Sequence, residues 1–224
     1  MQRSDLSIII PVACQDTTWK LVITELESCL SEVEILIIGC EAAPQDFVFP
    51  ANVRWHTSRQ GRALQMNTGA RLARGSVFWF VHADTRLNAR IIESLTGYLK
   101  HHTPGIAFFK LRFADDGPLL TRLNAWMANV RSSLFKLPFG DQGFVIDKSV
   151  FEQLHGFDET LRIGEDLDFI VRLNASGFQN TQLPGTLTTS ARRYRQQGWV
   201  NTTLRHLWLT CQLTYQAKQR LKLT

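Results

Sequence analysis

The chain has 224 residues, 44% hydrophobic and 20% charged, with a formal net charge of +5. That length supports one good core, or one core with a small appendage, and the mild basicity fits either ordinary variation or an anionic partner such as a phosphorylated substrate or an acidic membrane surface. There is no long Lys/Arg block and no nucleic-acid-binding motif, so nucleic acid is not the expected partner, and no apolar run approaches transmembrane length.

Leu6–Val12 reads as a strand. It is too short for the apolar core of a signal peptide, and Asp5 precedes it. A helix follows around Thr17–Leu30, then strands at Val33–Gly39 and Val53–His56. Arg62–Ala73 is a helix that stops near Gly75, and Ser76–His82 is a fourth, almost wholly apolar strand. Asn88–Lys100 places Ile91, Ile92, Leu95 and Leu99 on one helical stripe. This alternation predicts a mostly parallel, doubly wound α/β sheet. Gly105–Phe113 is a long strand. Leu119, Leu120, Leu123, Trp126, Met127, Val130 and Leu134 form another helical stripe. Gly140–Ile146 is a turn into a strand, Glu165–Ala175 a helix, Thr186–Thr189 a last strand, and Trp199–Leu221 a final helix. Cys14, Cys29, Cys40 and Cys211 form no CxxC pair and no zinc-ligand cluster, which predicts reduced, mostly buried thiols in a cytosolic protein.

Several segments can carry chemistry. In α/β sheets ligands bind beyond the carboxyl ends of the strands, so Asp84 of His82-Ala83-Asp84 belongs on a pocket floor. A carboxylate there can hold Mg2+ or Mn2+ with substrate phosphates, or it can cap the following turn. Glu165-Asp166 lies at a helix start, where the macrodipole favours the ionised form. Such an acid can take a proton from a hydroxyl, or can simply cap its helix. Gly61 and Arg62 open a helix and can face a phosphate or a base, although the Gly-Lys-Ser/Thr ending of a P-loop is absent. Gly140-Asp141-Gln142-Gly143 is a polar turn between apolar segments. Thr188 to Arg195 supplies closely spaced hydroxyls and guanidiniums suited to phosphate, or a solvated basic loop.

The order of these segments resembles family 2 glycosyltransferases of the GT-A fold, over roughly residues 6–196. The resemblance rests on Ser7-Ile8-Ile9-Ile10-Pro11-Val12, Gly61 to Ala70, Val81 to Thr85, Gly140 to Gly143, Gly156-Phe157-Asp158-Glu159, Glu165-Asp166 and Thr189 to Tyr194. The chain is especially similar to small bacterial members with HADT, GDQG and SARR-aromatic segments. The resemblance implies a GT-A-like, mostly parallel Rossmann-type sheet flanked by helices, and transfer of a sugar from a nucleotide-diphosphate-sugar to an acceptor hydroxyl, metal-dependent and inverting. It implies Asp166 as general base with Glu165 beside it, and Asp84 as the ligand of a divalent metal on the donor diphosphate. Donor binding is expected at Pro11, Gly61, Arg62, Asn67, His82, Ala83, Asp84 and Arg193, and the acceptor or sugar pocket at Asp141, Gln142 and Tyr194.

Two departures stand out. Where the family carries an Asp-Gly-Gly/Ser-Ser segment after the second strand, this chain reads Ile37-Ile38-Gly39-Cys40-Glu41-Ala42-Ala43-Pro44, so the base-recognising acid is missing or displaced to Glu41. The first position of the metal motif is His82, expected here as a non-ligand. These departures keep two alternatives open: a nucleotide-sugar-binding protein with degenerate catalysis, and a nucleotidyltransferase.

Residues 1–198 are expected to form the catalytic domain, and residues 199–224 an amphipathic helix. Val200, Leu204, Leu207, Trp208, Cys211 and Tyr215 share one face of that helix, with Arg205, Lys218, Arg220 and Lys222 adding positive charge. It packs on the domain or on a second subunit as a homodimer, or it lies on an anionic membrane, which suits a lipid-linked acceptor. The expected location is cytoplasmic, with a peripheral position at the inner face of the plasma membrane as the second reading.

Overall fold

The computed structural model of the protein describes residues 5–101 and 103–221. Its centre is one seven-stranded sheet in the order β3-β2-β1-β4-β6-β5-β7. The strands are β1 (Leu6–Pro11), β2 (Glu34–Gly39), β3 (Val53–Thr57), β4 (Val77–Phe80), β5 (Gly105–Phe113), β6 (Val145–Asp147) and β7 (Gln179–Thr189). β3, β2, β1 and β4 run parallel, as do β5 and β7, and β6 runs antiparallel between β4 and β5.

The apolar runs are explained by burial on both faces, with side chains alternating across the pleat. Ile8, Ile10, Ile35, Ile37 and Trp79 point to one face. There they meet α1 (Trp19–Leu30) and α3 (Ala89–His101) through Trp19, Val22, Leu26, Ile91 and Leu95. Ile9, Leu36, Ile38, Phe78 and Phe80 point to the other. They meet α2 (Arg62–Leu72), α5 (Lys148–Gln153) and α6 (Glu165–Ala175) through Met66, Ala70, Phe151, Phe169 and Ile170. Each large apolar side chain so buried contributes about 1.5–3 kcal/mol relative to exposure. α2 lies so close to the sheet that a Cβ on Gly69 would stand 2.4 Å from Ile9 Cγ2. Gln65, one turn earlier, donates through Nε2 to Val12 O and Ile38 O, both at 2.7 Å, and so ties together the carboxyl ends of β1 and β2.

Two expectations, the start of the last strand and the state of the cysteines, need correction, and two features were not read from the sequence. β7 begins at Gln179, seven residues before the predicted strand, because its polar first half pairs in parallel with β5. The short helices α5 and α7 (Arg192–Gln197) were not foreseen. The cysteines are not buried thiols: Cys14 and Cys40 form a disulfide, and Cys29 and Cys211 are exposed. β1 and β2 are parallel neighbours, so the loops leaving their ends lie side by side and bring these two cysteines together. Finally, α4 (Thr121–Leu134) turns its small and polar face inward, burying Thr121, Asn124, Ala125, Ala128 and Ser132, and leaves its large apolar stripe outward.

α8 (Trp199–Leu221) behaves similarly. It packs on α6 through Leu213 and Ala217, which join Leu167 and Val171. Thr202 and Thr203 are also buried, while Val200, Leu204, Leu207, Trp208 and Tyr215 remain exposed. Lys222 lies outside the described residues.

Candidate active site

The acidic cluster forms where three segments meet at one end of the sheet. The chain leaves β4 through His82-Ala83-Asp84 and is tied to β7 by Arg86 N–H donating to Thr188 O at 2.7 Å and Thr188 N–H to Arg86 O at 3.3 Å. This brings Thr189 against Asp84, and its hydroxyl donates to Asp84 Oδ1 at 3.2 Å. Burial pushes the Asp84 carboxyl above its usual range, against the pull of that bond and of Arg192.

The second segment is the start of α6. Asp166 Oδ1 accepts from Leu167 N–H and Oδ2 from Gly140 N–H, both at 2.8 Å. Glu165 is buried beside it, and burial raises its carboxyl above the usual range despite the Arg62 guanidinium. Arg62, from the first turn of α2, places Nε 3.2 Å from Glu165 Oε1 and Nη2 3.9 Å from Asp166 Oδ2. The same guanidinium contacts His82 Nε2. Burial, then Arg62 and Arg193, hold the His82 imidazole well below its ordinary pKa. His82 is therefore neutral at pH 7, with Nε2 as the acceptor and the proton on Nδ1.

The third segment is the turn Gly140–Gln142, which lies in the middle of this group. A Cβ on Gly140 would meet Arg62 Nη2 at 2.4 Å, His82 Nε2 at 3.2 Å and Asp166 Oδ2 at 3.3 Å. Arg62, His82 and Asp166 thus converge on a point that only glycine leaves open. Asp141 follows. Its Oδ1 is buried with no hydrogen-bond partner among the described residues, and so is Nη2 of Arg131. Burial raises Asp141 from 3.8 to about 6; Arg131 and Arg62 oppose this, while Asp166 and Asp84 add to it. Asp141 therefore lies within electrostatic reach of both distant acids, Asp166 and Asp84. Arg131 stacks 3.4 Å above the Phe139 ring and donates through Nε to Leu137 O at 2.9 Å.

The basic segment after β7 closes the group. Asp116 pins its turn, accepting from Ser190 Oγ at 2.5 Å and Ala191 N–H at 2.7 Å. Arg192 reaches Asp16 at 3.4 Å, in the loop after β1. Arg193 is exposed, and its charge is felt by His82 and by Tyr194. Tyr194 is buried against Phe113, with its hydroxyl 3.2 Å from His206 Nδ1 of α8; burial, aided by Asp141, raises its phenol to about 12. α8 also lies over the start of α6, where a Cβ on Gly164 would strike Leu213 Cδ1 at 2.4 Å.

Two expected site residues belong elsewhere. Asn67 donates through Nδ2 to Phe157 O at 2.8 Å and accepts from Phe157 N–H at 3.0 Å, so it fastens α2 to the segment after α5. Gln142 is fully buried, with Nε2 bonded to Phe109 O at 2.9 Å and Ser132 Oγ at 3.1 Å. Both are engaged in bonds that hold the frame, Gln142 with no exposed surface and Asn67 in the lining of the cavity between α2, α5 and α6. Pro11 ends β1 beside Ile38, Gly61 caps α2, and Ala83 is buried in the β4 exit. A cavity of about 190 Å³ opens between the β1 and β2 loops, lined by Val12, Asp16, Trp19, Cys40, Glu41 and Trp55. Asp16 and Arg131 were missed from sequence. Asp16 is foreshadowed by its place in the first loop, whereas nothing local distinguishes Arg131 from any other helical arginine. A cavity of about 750 Å³ lies between α2, α5, α6 and the end of α8, and its lining does not include Asp84, Asp141 or Asp166. Its Arg71, Arg172 and Arg220 are paired with Glu159, Asp168 and Asp158.

A family model described as Glycosyl transferase family 2 matches residues 40–160, just over half of the chain. The chain is a family 2 glycosyltransferase by membership. The matched range holds His82, Asp84 and Asp141 and ends before Glu165 and Asp166. Among curated proteins, the Pre-mycofactocin glycosyltransferase of Mycobacterium tuberculosis (strains CDC 1551 / Oshkosh and ATCC 25618 / H37Rv) is 22% identical over 215 residues. The match covers 88% of this chain and 44% of the relative, so the chain spans less than half the length of the curated relatives it matches. Among solved structures, S. aureus TarS 1-349 in complex with UDP superposes with a TM-score of 0.58 at 15% identity, covering 84% of this chain and 60% of that one. The complex of TarS 1-349 with UDP-GlcNAc gives 0.59 at 14% identity, covering 83% and 58%. These likenesses show the fold, and the mixed, mostly parallel sheet with its C-terminal helix is the GT-A-like architecture the family member was expected to have.

Proposed function

We propose that this family 2 member transfers a glycosyl group from a nucleoside-diphosphate sugar to an acceptor hydroxyl, with inversion at the transferred carbon. The observation that carries the reading is the convergence of Asp166, Arg62 and His82 on Gly140, with Asp141 in electrostatic reach of both Asp166 and Asp84. The printed names and ligands of the relatives support a nucleotide-sugar donor, with a UDP-sugar as the first to test.

Asp166 is the proposed base. Two backbone N–H groups orient its carboxylate and leave each oxygen a further lone pair for the acceptor hydroxyl proton. Arg62 holds Glu165 and Asp166 in place and supplies positive charge near the departing diphosphate. Arg193 adds charge from the other side. Neutral His82 can accept from Arg62 or contact the sugar. Tyr194 and Asp141 border the acceptor side. A base facing the carbon opposite the leaving group gives inversion, as in inverting glycosidases.

A divalent cation, Mg2+ or Mn2+, would be held by Asp84 and would neutralise diphosphate charge as the glycosidic bond breaks. The donor set fits such an ion. Asp84 is a hard oxygen ligand that burial leaves short of compensating charge, and Mg2+-like ions take one or two carboxylates and complete their shell with phosphates and water. Among the described residues there is no ready-made group of three or more His, Cys, Asp or Glu side chains for a metal.

The acceptor carries a free hydroxyl. A lipid-linked acceptor would place the protein at the inner face of the plasma membrane, as a surface-bound protein. No helix among the described residues is long and apolar enough to cross a membrane. The test is a product assay over nucleoside-diphosphate sugars with Mn2+ and an acceptor library. Release of the nucleoside diphosphate with a glycosylated acceptor is expected. Binding without turnover over the whole set would instead identify a binding protein, and release of pyrophosphate a nucleotidyltransferase.

A further inference from the structure

We propose that the uncovered apolar faces of α4 and α8 together form a docking surface for an anionic phospholipid bilayer. Among the described residues, fifteen large hydrophobic side chains are exposed, and eleven of them lie on or beside these two helices. On α4 and its flanks they include Leu119, Leu123, Trp126, Leu134 and Phe135; on α8 they are Val200, Leu204, Leu207, Trp208 and Tyr215. Trp126 and Trp208 are each 62% exposed, far more than a packed tryptophan would be.

The two stripes belong to one region. Asn124 on α4 donates to Thr203 Oγ1 on α8 at 2.9 Å and accepts from Trp199 Nε1 at 2.6 Å. Leu123 and Leu204, next in sequence to these contact residues, both face outward. The inner face of α8 is committed to the domain, since Leu213 and Ala217 pack on α6. The outer face is therefore not left open by a helix that failed to dock. It is a second apolar face on a helix that is already seated.

Charge selects the occupant. Residues 169–224 contain eight Lys or Arg and no Asp or Glu, whereas the preceding residues hold seventeen basic and twenty acidic side chains. The positive excess of the whole chain thus comes from its last quarter. α4 has no acidic residue either. Arg205 and Lys218 on α8, Lys136 just after α4, and Arg122 on α4, which lies 3.7 Å from Asp115, are exposed around the apolar stripes. Apolar faces with tryptophan, rimmed by cations whose stems can lie along the surface, suit a bilayer interface carrying negative headgroups. A second copy on a two-fold axis would set this net-positive face against an identical net-positive face. Because α8 is seated on the start of α6, docking in this way would hold the Asp166 region close to the bilayer, one helix behind its surface; the use of that proximity for a membrane-borne acceptor rests on the proposed transferase activity, while the docking itself does not.

The test is sedimentation of the full chain with vesicles of phosphatidylcholine alone and of phosphatidylcholine with phosphatidylglycerol, read without any activity assay. Binding to the anionic vesicles is expected, weakening with salt, with a blue shift of tryptophan emission. Two double variants probe the helices separately: Leu123→Ser with Trp126→Ser on α4, and Leu204→Ser with Trp208→Ser on α8. Each should lower partitioning at least about tenfold, from the apolar area removed, with unchanged circular dichroism because the side chains face outward. No binding, equal binding to both vesicle types, or indifference to either double variant overturns the proposal. A dimer in solution that these variants dissociate, without vesicle binding, would identify the surface as a subunit seam and overturn it equally.

Discussion

Asp141→Asn should stabilise the metal-free, donor-free protein above pH 6 and lose that advantage in acid. Burial raises the Asp141 carboxyl from 3.8 to about 6, so the fold favours its protonated form. A raised carboxyl contributes stability below the unfolded value and loses it as pH climbs through the folded value. In the pH window between these values the ionised wild-type side chain becomes progressively more costly, by about 1.4 kcal/mol per pH unit. The penalty reaches about 3 kcal/mol at neutral pH, for a carboxylate whose Oδ1 has no partner among the described residues. Asn has the same shape and no charge to desolvate. The difference in unfolding free energy between variant and wild type should therefore be small near pH 4, rise through the window and level off above pH 6. For a chain of this size, about 3 kcal/mol corresponds to roughly 6–12 °C in Tm. Urea unfolding of both proteins across pH 4–8 measures the curve. A pH-independent difference, or a variant that grows less stable as pH rises, would refute the assignment of Asp141 as an under-compensated buried acid.

Gly140→Ala should abolish transfer in a folded protein. Its Cβ would displace the Arg62 guanidinium, 2.4 Å away, and crowd His82 and Asp166; steady-state kinetics with a check by circular dichroism tests this, and activity near wild type would contradict the convergence. Asn67→Ala should cost about 2–3 kcal/mol by leaving both backbone groups of Phe157 without their partner, with donor affinity unchanged in the folded fraction; a selective loss of donor affinity at full stability would return Asn67 to the site. Arg62→Met should raise the His82 pKa toward its ordinary value, since Arg62 is one of the charges holding it down. Proton NMR titration of the imidazole reads this shift, and an unmoved value would show that Arg62 has no such influence.

Much of the sheet was legible because burial leaves a simple mark. Ile8-Ile9-Ile10 and Ile35-Leu36-Ile37-Ile38 are apolar at every position only because helices cover both faces. α8 was readable to its ends, since Gly198 precedes it and its pattern runs unbroken. Periodicity does not say which side of a helix faces in. On α4 the bulky stripe is outward; Asn129 bonds both backbone groups of Leu111 on β5, and Asn124 bonds Trp199 and Thr203 of α8. The first half of β7 is hidden for a related reason: Gln179-Asn180-Thr181-Gln182 pairs at the sheet edge with little apolar signal. Asp84, Asp166, Arg62 and His82 were visible as residues at strand and helix ends. The outward or inward turn of Asn67 and Gln142 depends on partners 90 and 33 residues away, which no local pattern records.

The most direct test of the account is Asp166→Asn, read by two assays on one preparation. Calorimetry with a nucleoside diphosphate and Mn2+ should give an affinity close to wild type, because Asn can still accept the Leu167 and Gly140 N–H bonds in part and Asp84 is untouched. Transfer to the acceptor should fall by at least about a hundredfold, the contribution of a positioned base. Turnover near the wild-type rate would show that the proton leaves by another route and that Asp166 is not the base.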